Sequence, residues 1–166
     1  MINTMQAVAD KQAITGQLYR YCRSVDRLDV PLGHSVFHED ATADYGPTSY
    51  KGSGRGAIDY ICKAHLNLKA HSHQVTNVLI ELDGDSAASE AYVMAALRGE
   101  REGKPFQLQV WARYCDTWSR RDGNWAIDHR NTVIDFDTMS EVTPVHEHDW
   151  TRRDREDPSY AILKGL

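Results

Sequence analysis

Near the start of the chain, apolar positions return at steps of three and four. Ile14, Leu18, Tyr21, Cys22, Val25 and Leu28 form one stripe, and that spacing predicts an amphipathic helix over 10–28. Asp10 stands where an N-cap belongs. Asp26 falls on the stripe itself, in register with Cys22 and Leu18. A carboxylate on a buried helix face is costly unless it is paired, so Asp26 is the first candidate for chemistry. Asp29 lies just past the turn and reads as the N-cap of a short second helix, with Pro31 in its first turn.

That helix should run to His38, followed by a short strand over 41–46 and a loop through Gly52, Gly54 and Gly56. The glycine spacing is not that of a phosphate-binding turn. A third helix over 57–68 would bury Ile58, Ile61, Cys62 and Leu66. Beyond it the period drops to two. Segments 71–82, 87–97, 106–119 and 125–136 alternate apolar and polar, and Asp83-Gly84, Glu102-Gly103 and Asp122-Gly123 separate them as hairpin turns. Three helices in the N-terminal half followed by four long antiparallel strands predict an α+β domain. Two of the strands are long enough to require a strongly curved sheet. In the first, His71, His73, Val75, Asn77 and Leu79 share one face, and Thr76, Val78, Ile80 and Leu82 share the other. Apolar Val75 and Leu79 beside His73 mark that face as a cavity wall and His73 as a candidate general base.

Composition narrows the classes of function. The 166 residues suffice for one domain. We assign it to 1–139, with a tail over 140–166 whose stretch 151–158 is dense in both charges. The tail reads as an arm packed on the pocket or on a neighbouring subunit, anchored through Tyr160, Ile162 and Leu163. A net charge of −5 argues against nonspecific nucleic-acid binding. No apolar run is long enough to span a bilayer, and the first residues lack the pattern of a signal peptide. Cys22, Cys62 and Cys115 form no motif and sit among apolar neighbours, so a cytoplasmic location is expected.

Order and wording together resemble the SnoaL-like branch of the NTF2-like superfamily. The resemblance rests on Tyr21-Cys22-Arg23-Ser24-Val25-Asp26, Asp44-Tyr45-Gly46-Pro47, Gly54-Arg55-Gly56-Ala57-Ile58, His73-Gln74-Val75-Thr76-Asn77-Val78, Arg113-Tyr114-Cys115-Asp116 and Arg120-Arg121-Asp122-Gly123-Asn124-Trp125. It implies a cone-shaped α+β fold, in which a curved, mostly antiparallel sheet and three helices enclose a pocket. Within the branch, Val25-Asp26 and His73 before x-x-Thr76-Asn77 are similar to hexachlorocyclohexane dehydrochlorinase, which implies an Asp26–His73 dyad and a catalytic arginine at Arg130. Scytalone dehydratase and bile-acid 7α-dehydratase resemble the same arrangement, with tyrosines as further acids. Tyr21 stands where the dehydrochlorinase has a lysine, and no tryptophan lies near Ala43; both departures point away from dechlorination.

A neutral imidazole accepts and returns a proton near pH 7, and a carboxylate on its other nitrogen holds the tautomer. The expected function is therefore that of a cofactor-independent lyase acting on a hydrophobic, aromatic or polycyclic small molecule. His73 would be the base, Asp26 its partner, and Arg130 or a tyrosine the aid to the leaving group. Dehydration leads, with retro-aldol cleavage, HX elimination and isomerisation sharing the same base. Arg130 has the wrong strand parity relative to Trp125, Ile127, His129 and Asn131, so either a bulge turns it inward or His129 or Asn131 faces the pocket. Tyr21, Tyr45 and Asn131 are the expected substrate-binding residues. Metal chemistry is the chief rival, through His71-x-His73 or His146-Glu147-His148-Asp149, but neither has zinc-site spacing, and no metal is expected. The alternative function is a non-catalytic ligand-binding or accessory subunit, resembling the small subunits of ring-hydroxylating dioxygenases. A homo-oligomer, dimer or trimer, is implied by the resemblance.

Overall fold

The computed structural model describes residues 4–146 and 152–165. Its elements are α1 (Thr4–Arg27), α2 (Val30–Val36), β1 (Phe37–Asp44), β2 (Lys51–Ser53), α3 (Gly54–His65), β3 (Ala70–Asp83), β4 (Ser86–Arg101), β5 (Lys104–Arg121), β6 (Asn124–Glu141) and α4 (Pro158–Ile162). One curved six-stranded sheet has the order β2-β1-β6-β5-β4-β3. Only the β1–β6 pair is parallel. The three N-terminal helices cover one face, which gives the α+β architecture expected. No helix among the described residues is long and apolar enough to cross a membrane.

Helix α1 begins six residues earlier than its apolar stripe indicates. Asp10 is therefore not its cap but a buried acid inside it, accepting hydrogen bonds from Gln6, Arg120 and the indole N–H of Trp125. These bonds hold its carboxyl below the usual range, the Trp125 bond contributing most. Ile14, Leu18, Tyr21, Cys22 and Val25 face the core as the spacing requires. Asp29 caps α2, accepting from Leu32 N at 3.3 Å. Helices α2 and α3 cross closely enough that a Cβ on Gly33 would come within 2.6 Å of Ile58. Helix α3 ends at His65, so Leu66 lies past its end and is exposed.

Long hairpins build the sheet. Glu102-Gly103 and Asp122-Gly123 have positive φ at both turn residues, whereas the β3–β4 turn needs it only at Gly84. On the inner face, Ala87, Ala91 and Ala95 of β4 and Ala112 of β5 are small and buried. With Val75, Val93 and Ala112 aligned across three strands, the concave surface is lined by short side chains where the helices stand off from it.

Two of the sheet's register shifts bear on the candidate residues. Between Thr76 and Leu79 the β3–β4 pairing slips, and Asn77 sits at φ 49°, a conformation asparagine tolerates better than most residues. After this bulge Val78, Ile80 and Leu82 join the face of His71, His73 and Val75, and Leu79 turns out to solvent. The second shift lies between Thr117 and Trp118, opposite Asp128. It brings Arg130 onto the inner face with Ile127 and leaves His129 and Asn131 exposed.

The described part of the tail folds back onto its own chain. Tyr160 donates to Asp29 Oδ2 at 2.7 Å, Arg155 pairs with Asp29, Arg27 with Asp157, and Arg23 donates to Ser159 Oγ. Arg153 reaches the backbone carbonyl of His65 at 2.8 Å. Strand β6 itself continues to Glu141, past the boundary at 139.

Candidate active site

The buried face of α1 carries Asp26 against β3, and the two elements meet through this acid. Asp26 Oδ1 lies 2.7 Å from Nδ1 of His73, and Oδ2 accepts from the His73 backbone N–H at 2.9 Å. Both side chains are nearly closed to solvent, at 10% and 13% exposure. One carboxylate thus fixes both the ring and the strand that carries it. With Asp26 ionised, Nδ1 is the protonated nitrogen, which leaves the Nε2 lone pair free. Nε2 makes no hydrogen bond among the described residues.

His73 borders an inner cavity of about 230 Å³ between the sheet and the helices. Its walls are mostly apolar, with Ile61, Val93, Ala95, Val110 and Ala112 among them, and the polar residues are Tyr21, Tyr45, Ser49, His65, His73, Tyr114 and Thr132. The hydroxyls of Tyr21 and Tyr45 are 2.7 Å apart. Burial raises both phenols above their usual range, with Arg130 opposing the rise, so both stay protonated as hydrogen-bonding groups. On its other side His73 borders a wider groove of about 480 Å³ with Cys22, Asp26, Arg20, Arg23 and Leu163.

Arg130 takes a different place from the expected one. It is wholly buried and forms two hydrogen bonds to Asp116, at 2.8 and 2.7 Å. Its guanidinium carbon lies 4.1 Å from the centre of the Tyr21 ring and 3.9 Å from that of Tyr114. Burial works against this charge, but the Asp116 carboxylate more than offsets it and the pKa rises. Arg130 does not line the cavity, which corrects its assignment as a group touching substrate; it stands behind the tyrosines. Asn131 is likewise corrected as a substrate-binding residue, because the Asp128 bulge turns it to the outer face. Arg113 is held by Glu90 and Asp135 on the outer face.

Sequence reading missed His65. The end of α3 sets its ring 4.5 Å from that of His71 and 5.8 Å from that of His73, the latter nearly parallel at 27°. Burial, helped by the neighbouring histidines, depresses its pKa to about 3. His71 is buried and bonded through Nε2 to the carbonyl of Val25. The available signal was the α3 stripe itself: His65 follows Ile61 by four residues and Cys62 by three, so it shares their buried face. Among the described residues no cluster of His, Cys, Asp or Glu is arranged to hold a metal ion; 147–149 of the tail motif fall outside them.

The family described as SnoaL-like domain matches residues 6–131. No curated protein matches the sequence significantly. Among solved structures, a protein of Novosphingobium aromaticivorans DSM 12444 provisionally named scytalone dehydratase superposes with a TM-score of 0.74 at 21% identity, over 89% of this chain and all of that one. The hexachlorocyclohexane dehydrochlorinase LinA-type3 of Novosphingobium barchaimii LL02 gives 0.72 at 20% identity, over 88% and 99%. The Kfla4162 protein of Kribbella flavida gives 0.71 at 18%, over 80% and 95%. At such identities the likeness is one of fold.

Proposed function

The chain belongs to the SnoaL-like domain family, and from that premise we propose that it is a cofactor-independent lyase that removes water from a hydrophobic, ring-containing small molecule. The observation that carries this reading is the hydrogen-bonded Asp26–His73 pair at the wall of a mostly apolar cavity. His73 Nε2 takes a proton from carbon, and the C–H electron pair becomes the new double bond as the neighbouring C–O bond breaks. Asp26 stabilises the imidazolium so formed. The Tyr21–Tyr45 hydroxyl pair hydrogen-bonds the departing oxygen, and His73 returns its proton, so water leaves and the dyad resets. Arg130 is a positioning residue in this scheme, holding the two phenols through its contact with Tyr21. Retro-aldol cleavage, HX elimination and isomerisation begin with the same proton transfer.

Cavity size bears on the substrate. About 230 Å³ corresponds to roughly eight waters at ~30 Å³ each, space for one ring or a small pair of fused rings. The outer sheet face carries exposed Tyr92 and Phe136, the latter stacked on Trp111 at 4.8 Å. This apolar patch supports a homo-oligomer, dimer or trimer. The functional test is a screen of hydroxylated ring compounds for water release by the wild-type protein and by His73→Ala. Turnover lost in the variant while it stays folded supports the lyase. Equal turnover in both removes the dyad, and binding without turnover in either leaves a ligand-binding module.

A further inference from the structure

The cavity holds one imidazole that the elimination does not use. His65 borders it beside His73, and neither nitrogen of its ring is hydrogen-bonded to any described residue. Its ring lies nearly parallel to that of His73 with 5.8 Å between centres. A second cavity residue, Thr132 of β6, has a hydroxyl that is buried and also without a partner. Buried polar groups left unpaired are uncommon and costly, and sites built to bind a polar ligand commonly leave them so. Nearby groups are at least partly engaged: His73 bonds Asp26 through Nδ1, Tyr21 bonds Tyr45, and His71, beside His65, bonds the Val25 carbonyl through Nε2 while its Nδ1 is buried without a partner.

We propose that His65 is a substrate-binding and specificity-determining residue, which with Thr132 takes up oxygen functions of the substrate close to the carbon that His73 deprotonates. Its burial keeps the His65 imidazole uncharged at neutral pH. It therefore neither repels the imidazolium formed on His73 nor acts as an ion-pairing cation, and it recognises a neutral hydroxyl or carbonyl. A halogen or a bare ring edge satisfies neither group. The cavity accordingly favours oxygenated rings over halogenated ones of equal size. The inference rests on reading this cavity as the substrate site, and it adds the class of compound that fits there.

Resorcinol and 1,3-difluorobenzene test it, because both match the cavity in size and neither can undergo elimination. Binding is followed by NMR titration of the wild type, Thr132→Val and His65→Phe. Wild type is expected to bind resorcinol at least fivefold more tightly than the difluoro compound. Each variant is expected to weaken resorcinol about three- to tenfold while leaving difluorobenzene unchanged or slightly tighter. Thr132→Val preserves shape, so it decides the outcome should His65→Phe fail to fold. Equal affinity of wild type for the two probes, equal losses for both in a variant, or no binding of resorcinol at all would overturn the proposal. These titrations do not depend on turnover. If His73→Ala abolishes the dyad reading but the resorcinol preference and its loss in Thr132→Val remain, the binding assignment stands alone.

Discussion

Replacing Asp26 by asparagine tests the dyad most directly, because the geometry dictates what the new amide must do. Asparagine can still accept from the His73 backbone N–H, now made to Oδ2 at 2.9 Å. Keeping that bond turns the amide NH₂ toward the ring nitrogen that Asp26 Oδ1 now meets at 2.7 Å. An amide N–H facing Nδ1 requires a lone pair there, so the ring proton moves to Nε2. The nitrogen that should accept the substrate proton is then already protonated. The imidazolium formed in the reaction also loses its anion. Opposite charges roughly 4 Å apart at an effective dielectric constant of ~20 attract by about 4 kcal/mol, near three powers of ten in rate. We expect kcat to fall by about 10³-fold, within the ~10²–10⁴ associated with general bases, while Tm changes by no more than about 4 °C. Two measurements check this. Long-range ¹H–¹⁵N correlation NMR should show Nδ1 protonated in the wild type and Nε2 protonated in Asp26→Asn, without any substrate. Single-turnover kinetics on a compound dehydrated by the wild type gives the rate. A rate within tenfold of wild type, or an unchanged tautomer, would refute the argument.

Other outcomes follow from the same structure. Asp116→Asn leaves the Arg130 charge buried without its anion and should destabilise by about 3–5 kcal/mol in urea unfolding, whereas Arg130→Met combined with Asp116→Leu should recover much of the loss; equal stability of the single variant and wild type would contradict the ion-pair role. Because the His65 pKa is depressed to about 3, lowering the pH below about 6.5 protonates the unfolded chain first. Stability should therefore fall by about 2–3 kcal/mol from pH 7 to 4.5, and by clearly less in His65→Asn, as read by denaturation at the two pH values. Tyr45→Phe should reduce turnover at least tenfold while costing about 1 kcal/mol of stability, a split that combined kinetics and thermal melts reveal. Asp29→Ala removes the α2 cap and the anchor of Tyr160 and Arg155; it should cost about 1–2 kcal/mol and speed trypsin cleavage at 152–155.

The features easiest to read from sequence were those set by uninterrupted periodicity. The stripe from Ile14 to Val25 placed Asp26 on a buried face, because the helix runs without a break from Thr4 to Arg27. The turn residues located each hairpin, because positive φ is a local requirement that Gly84, Gly103 and Gly123 meet. The start of α1 was less visible, since its first turns bury little and Asp10 is held by Trp125 and Arg120 from far along the chain. His65 shares the α3 stripe with Ile58, Ile61 and Cys62, so its inward direction was legible. Which strand that end of α3 comes to rest over is a tertiary fact that the period does not give.

Bulges account for the remaining misreadings, and that at Asp128 shows how much one residue decides. Counting outward from the Asp122-Gly123 turn, Arg121 faces Asn124 and Trp118 faces Ile127. Continued without interruption, the same count would set Asp116 against His129 and point Arg130 to solvent. The extra residue at Asp128 advances β6 by one, so Asp116 meets Arg130 on the inner face, where both are fully buried as an ion pair. The guanidinium then lies between the rings of Tyr21 and Tyr114, and Tyr21 holds Tyr45. Asp128 itself is fastened by Ser119 and Arg121 on the opposite strand, which stabilises the bulge where it is needed. Simple alternation assigned Arg130 the wrong parity because parity counts residues, whereas a bulge changes the count. Under the proposed mechanism the arginine therefore acts through the tyrosines it packs against.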